Sequence, residues 1–233
     1  MYPYFDPWYF IILGPGLLLA MYAQWKVRST FSRASEIPAA RGMTGRQVAQ
    51  AILDANGIHN VDIEPVEGRL SDHYDPRHKV LRLSPDVYGG RSLAAFGVAA
   101  HEVGHAIQDA RGYAPLGIRN AIVPMANFGS SIGMLLLFVG VGMAMKPLAI
   151  LGCAFFTMVV LFQLINLPVE FNASSRARET LLANGLTSPA EDKQVGKVLN
   201  AAAMTYVAAT LTSILTLLYF LMRAGLLGGR RDD

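Results

Sequence analysis

The sequence predicts a mainly α membrane protein, with about four transmembrane helices carrying a small α+β domain. Three observations predict this. Apolar residues make up 52% of the 233 positions and charged residues only 16%, whereas a soluble domain carries about 25% charge. Four apolar stretches each approach the roughly 20 residues a helix needs to cross the hydrocarbon core. The segments between them alternate like short strands or repeat like helices.

The first stretch runs from Trp8 to about Gln24. Before it stand Asp6 and no Lys or Arg, whereas a signal peptide has a positive n-region. Residues 1–25 are therefore expected to be an uncleaved N-terminal anchor. Residues 26–120 form the first part of the α+β domain. Thr44, with Gln47 three residues later, signals a capping box, and Asn56-Gly57 closes the helix it opens. Val61 to Glu64 and His78 to Leu83 alternate as strands do. Leu93 to Asp109 is apolar and Ala-rich, hence helical. Residues 121–169 read as a transmembrane hairpin, in which Ile122–Met145 and Leu148–Val169 contain no charged residue and meet at Lys146-Pro147. Gly129 and Gly133 permit close helix packing, expected here within the bundle rather than between chains. Residues 170–203 read as helical, interrupted by Asn184-Gly185 and restarted at Ser188-Pro189. Residues 204–222 are the last span and 223–233 a tail.

The net charge of +3 comes without a dense Lys/Arg run, so nucleic acid is not an expected partner. Near span ends, ten basic residues lie within 26–120 and 170–203, including Lys26, Arg28, Arg111 and Arg176. Lys146, Arg223, Arg230 and Arg231 face the other side. By the positive-inside rule, the two long segments are expected on the cytoplasmic side of the cell membrane, with both termini outside. The single cysteine, Cys153, allows neither an internal disulfide nor a cysteine metal site and reads as apolar filler.

His101-Glu102-Val103-Gly104-His105 is an H-E-x-x-H motif. Residues four apart share a helix face, so both imidazoles reach one ion. Zinc takes imidazole nitrogen at about 2.0–2.1 Å, lowers the pKa of a water it holds and polarises a carbonyl. Glu102, beside the first histidine, stands where a base for that water belongs. A catalytic zinc needs a third protein ligand and an open fourth position. The extended motif with a third histidine is absent, because Gln108 and Arg111 stand where its Gly and His would be. Glu170, directly after the third span, is the candidate. Glu179 competes with it, and an acid complementing a helix dipole is the plainer alternative. His73 and Tyr74 are either transition-state stabilisers or residues of the turn that Asp75-Pro76 makes in any case. The strand His78–Leu83 is either the sheet edge on which an extended substrate lies or an ordinary strand.

Three segments carry a family resemblance: Leu70-Ser71-Asp72-His73-Tyr74-Asp75-Pro76, the stretch Val98 to Gln108, and Pro168 to Arg178. In these the chain resembles the YugP-like membrane neutral zinc metallopeptidases, over nearly its whole length. The resemblance implies a zincin-like catalytic domain. The site is also similar to that of HtpX-like membrane proteases, where a Glu is the third ligand and an Asp four residues on supports a metal-binding His. Glu170 matches the ligand. Ser174 stands at the Asp position, which leaves Asn172 or Ser174 as the supporting residue.

The expected function is therefore a membrane-embedded, zinc-dependent endopeptidase acting through a zinc-activated water. Its metal would be held by His101, His105 and Glu170, its base would be Glu102, and its partners would be a protein or peptide substrate and the bilayer. Two alternatives stand beside it. A site-2-type intramembrane protease needs an Asp-Gly motif and a spanning motif helix, but the chain has no Asp-Gly pair and Leu93–Ile107 is fifteen residues. A non-catalytic scaffold or transporter would hold a structural metal, usually with four protein ligands.

Overall fold

The computed structural model describes residues 6–227. Four of the helices among them are long and apolar enough to cross a membrane: α1 (Pro7–Ser35), the stretch Ala114–Gly142, α7 (Lys146–Ala183) and α8 (Pro189–Arg223). Between the first two lie α2 (Gly45–Ala55), β1 (Asp62–Pro65), β2 (His73–Asp75), β3 (Val80–Leu83), the short α3 (Pro85–Tyr88) and α4 (Leu93–Ala110). The Ala114–Gly142 stretch comprises α5 (Ala114–Phe128), one π-helical turn (Gly129–Gly133) and α6 (Met134–Gly142). The architecture is thus mainly α and membrane-spanning, with a small α+β part, as the sequence predicts.

The chain divides into two compact units. Among the described residues, the first comprises 6–22, 118–167 and 205–227. Its core contains Leu13, Leu137, Cys153, Phe156, Val160, Tyr219 and Phe220. Cys153 is free and buried. Close packing depends on glycine at two points. A Cβ on Gly129 would sit 2.3 Å from the Phe155 carbonyl oxygen, and one on Gly140 would sit 2.4 Å from the Ala149 nitrogen. Gly133 also faces Phe155, so the G-x-x-x-G pair packs on α7 within the chain.

The second unit comprises residues 23–117 and 168–204. The capping box forms as the sequence predicts: the Gln47 amide donates to Thr44 Oγ1, and the Thr44 amide donates to Gln47 Oε1. This fixes the start of α2, whose buried face of Val48, Ala49, Ile52 and Leu53 joins Phe96, Ala100 and Val103 of α4 in one core. Gly57 and Gly185 take left-handed φ of +68° and +60°, which only glycine adopts cheaply, and there the chain leaves α2 and α7.

The sheet has strand order β1-β3-β2. β1 pairs parallel with β3 and β2 pairs antiparallel, with Tyr74 opposite Leu81. The strand within His78–Leu83 is therefore central, with both ladders occupied, and is not the edge expected to receive a substrate. The edges are β1 and β2, and β2 holds His73 and Tyr74, expected as transition-state stabilisers or as turn residues.

Candidate metal centre

Ser92 caps α4, accepting a hydrogen bond from the Ala95 amide at 3.2 Å. With the helix start fixed, the four-residue spacing brings His101 and His105 together, their ring centroids 4.9 Å apart and nearly perpendicular. A second helix supplies the carboxylate. Gly104, between the two histidines, lies so close to α7 that a Cβ there would stand 2.6 Å from the Ala173 carbonyl oxygen. Glu170 reaches in from that helix. Its Oε2 lies 3.3 Å from His101 Nε2 and 3.7 Å from His105 Nε2.

These three residues fit a metal ion. One ligand atom from each lies within 4.8 Å of the others. Bonds of about 2.0–2.1 Å in tetrahedral array put ligand atoms roughly 3.3–3.4 Å apart, close to the two distances from Glu170 to the histidines. Glu170 Oε2 is buried with no hydrogen-bond partner, a costly state for a carboxylate oxygen unless a cation compensates. Two imidazoles and a carboxylate form a common zinc donor set with room for a fourth ligand. Glu179 is not part of the cluster. It is exposed and lines a separate cleft with Arg111 and Arg176.

Glu102 is 8% exposed. Burial pushes its carboxyl up to about 7, with the nearby Glu170 and Asp72 carboxylates adding to the rise and His101 and a main-chain amide opposing it. That amide belongs to Tyr74, which donates to Glu102 Oε2 at 3.1 Å.

Side-chain bonds hold the segment Asp72-His73-Tyr74-Asp75 in place. Asp72 accepts from both the amide and the hydroxyl of Ser84, pinning the entry of β2 to the end of β3. Tyr74 turns its amide toward Glu102 and its hydroxyl toward Asp109, at 2.6 Å. Lys79 donates to the same Asp109 oxygen. Burial, then Asp109, pushes the Tyr74 hydroxyl well above its ordinary range. Asp75 accepts from His78, Arg82 and two main-chain amides, and these bonds hold its carboxyl well below the usual range despite some burial. His73 is exposed, with Nδ1 2.8 Å from the Ser71 carbonyl oxygen.

Both histidines have a partner behind them. Ser174 Oγ lies 3.2 Å from His101 Nδ1. Gln108 Oε1 lies 3.0 Å from His105 Nδ1. Asn172 touches neither histidine but accepts from Gln108. From sequence Gln108 stands out only as a departure from the three-histidine motif. Its position three residues after His105 was the available signal, since i and i+3 share a helix face.

Comparison with known proteins places the chain in a family. A family model described as "Putative neutral zinc metallopeptidase" matches residues 9–225. The chain is 48% identical over 204 residues to the "Putative membrane protease YugP" of Bacillus subtilis (strain 168), covering 88% of this chain and 91% of that one. No solved structure matches.

Proposed function

The chain belongs to this family of neutral zinc metallopeptidases, and from that premise we propose that it is a membrane-embedded endopeptidase with Glu102 as its general base. The observation that carries the reading is the convergence of His101, His105 and Glu170 beside a buried glutamate that is not part of the metal cluster. Zinc, when bound by these three residues, supplies Lewis acidity toward a water and the scissile carbonyl. Glu102 takes the proton from the attacking water and returns it to the leaving amine. A carboxyl raised to about 7 by burial suits both steps, because a shuttle works best near the operating pH. The Tyr74 amide holds one oxygen of that carboxylate in place. The Tyr74 hydroxyl is engaged by Asp109, which argues against its stabilising the oxyanion. The site is read as facing the cytoplasm, with membrane proteins or peptides arriving at the membrane surface as substrates.

Glu102→Gln tests the assignment. The purified variant is expected to keep its zinc while turnover falls by about 10²–10⁴-fold, the usual cost of losing a general base. Cells carrying it should lose specific fragments from the membrane proteome that the wild-type protein produces. Near-normal peptidase activity in zinc-loaded Glu102→Gln would assign the base elsewhere.

A further inference from the structure

A hydrogen-bond chain runs from His105 to Arg176, and both of its far ends fix which atoms donate. Gln108 is fully buried. Its Oε1 lies 3.0 Å from His105 Nδ1, and its Nε2 lies 2.8 Å from the Val169 carbonyl oxygen and 3.0 Å from Asn172 Oδ1. Asn172 Oδ1 in turn lies 2.7 Å from the Arg176 Nε.

A main-chain carbonyl can only accept, and a guanidinium can only donate. Arg176 therefore requires oxygen, not nitrogen, on the Asn172 atom facing it. That oxygen and the Val169 carbonyl together require the Gln108 atom between them to be the amide nitrogen. The other Gln108 atom is then the carbonyl oxygen, which accepts only, so His105 must carry its proton on Nδ1. The lone pair is left on Nε2, the atom that faces Glu170 Oε2. His101 has no such constraint from Ser174, because a hydroxyl donates or accepts as it rotates.

We propose that Gln108, Asn172 and Arg176 form a positioning relay that locks His105 in its metal-binding tautomer. This rests on His105 being a metal ligand, as the proposed function has it. Partners of this kind behind a ligating histidine typically carry 10–100-fold in metal affinity.

The test is the zinc dissociation constant of the full-length, detergent-solubilised protein, read by chelator competition, with the melting temperature of the zinc-free form as a folding control. Gln108→Met and Asn172→Leu are expected to weaken zinc by about 10–100-fold. Asn172→Asp keeps both acceptor bonds and should stay within about threefold of wild type, well short of that range. Gln108→Glu is the discriminating variant. Its carboxylate is a stronger acceptor for His105, yet its second oxygen meets two acceptors, Val169 O and Asn172 Oδ1, so zinc should weaken. Tighter zinc in Gln108→Glu, or unchanged zinc in a folded Gln108→Met, overturns the relay. If Gln108→Met does not fold, the partly exposed Asn172 pair decides, and equal affinity in Asn172→Leu and Asn172→Asp overturns it. Loss of the function reading is distinguishable, because the wild-type protein itself would then bind no zinc.

Discussion

Nine residues on from Glu170, Glu179 lies on the opposite face of α7, because each residue turns a helix by about 100°. Composition alone leaves the two acids equivalent, and so does topology, since both follow the third span. Burial separates them: Glu170 is 4% exposed, with an oxygen against both histidines, whereas Glu179 is exposed. Glu170→Gln removes the charge and should reduce zinc from about one per chain to a small fraction, since two imidazoles alone make a poor site. Glu179→Gln should leave the stoichiometry unchanged. Metal analysis of the two purified variants checks both outcomes, and full zinc in Glu170→Gln would return the third ligand to the open question the sequence posed. At the same scale, Ser174 takes the supporting position at His101 that the resemblance gives to an Asp. A neutral hydroxyl can fill that position while leaving the tautomer to be set at His105.

At the scale of elements, the site depends on how closely α4 and α7 approach. Alanine is preferred over glycine by roughly 1 kcal/mol in a helix interior, so propensity alone predicts that Gly104→Ala stabilises α4. The added Cβ would stand 2.6 Å from the backbone oxygen of Ala173, and a main-chain atom cannot swing aside. Packing therefore wins. The variant should melt at a lower temperature and bind zinc at least several-fold more weakly, because separating the helices draws Glu170 from the histidines; overpacking of this kind costs about 1–3 kcal/mol. A raised melting temperature with unchanged zinc affinity would show that the approach is not limiting. This contact also marks what the sequence left illegible. The long helices declare themselves through apolar length, α2 through its capping box, and the histidine pair through its spacing, since all three are local signals. β2 is three residues long, too short to alternate, and exists because Asp72 ties it to Ser84 and β3 lies beside it. The Tyr74 amide on Glu102 and the Gln108 chain to Val169 join residues 28 and 61 positions apart. No local pattern encodes such pairs.

At the scale of the whole molecule, the open quantity is orientation in the bilayer. Four helices are long and apolar enough to cross; crossing by all four would put residues 26–120 and 170–203 on one side, and with them every residue of the proposed metal site. The positive-inside rule assigns that side from Lys and Arg near the span ends. The charges that count include Lys26 and Arg28 after the first stretch and Arg111 and Arg119 before the second. With the other basic residues near these span ends they make ten, against four on the other side: Lys146 in the hairpin turn and Arg223, Arg230 and Arg231 beyond the last span. Acidic residues contribute little to this rule, so the modest net charge of +3 does not weaken the bias. The site segments should therefore be cytoplasmic. A reporter active only in the cytoplasm, fused after Asp233, should be silent, and one active only outside should report. A cysteine placed at the exposed Arg77, in a Cys153→Ala background, should resist an impermeant thiol reagent in intact cells and react after lysis. The two readouts fail differently. An active cytoplasmic fusion with Arg77→Cys still protected would mean that an even number of spans follows residue 120, leaving His101, Glu102 and His105 on the side where they are read to be. An active cytoplasmic fusion with Arg77→Cys labelled in intact cells would mean the whole bundle is inverted and the peptidase faces outward, toward a different set of substrates.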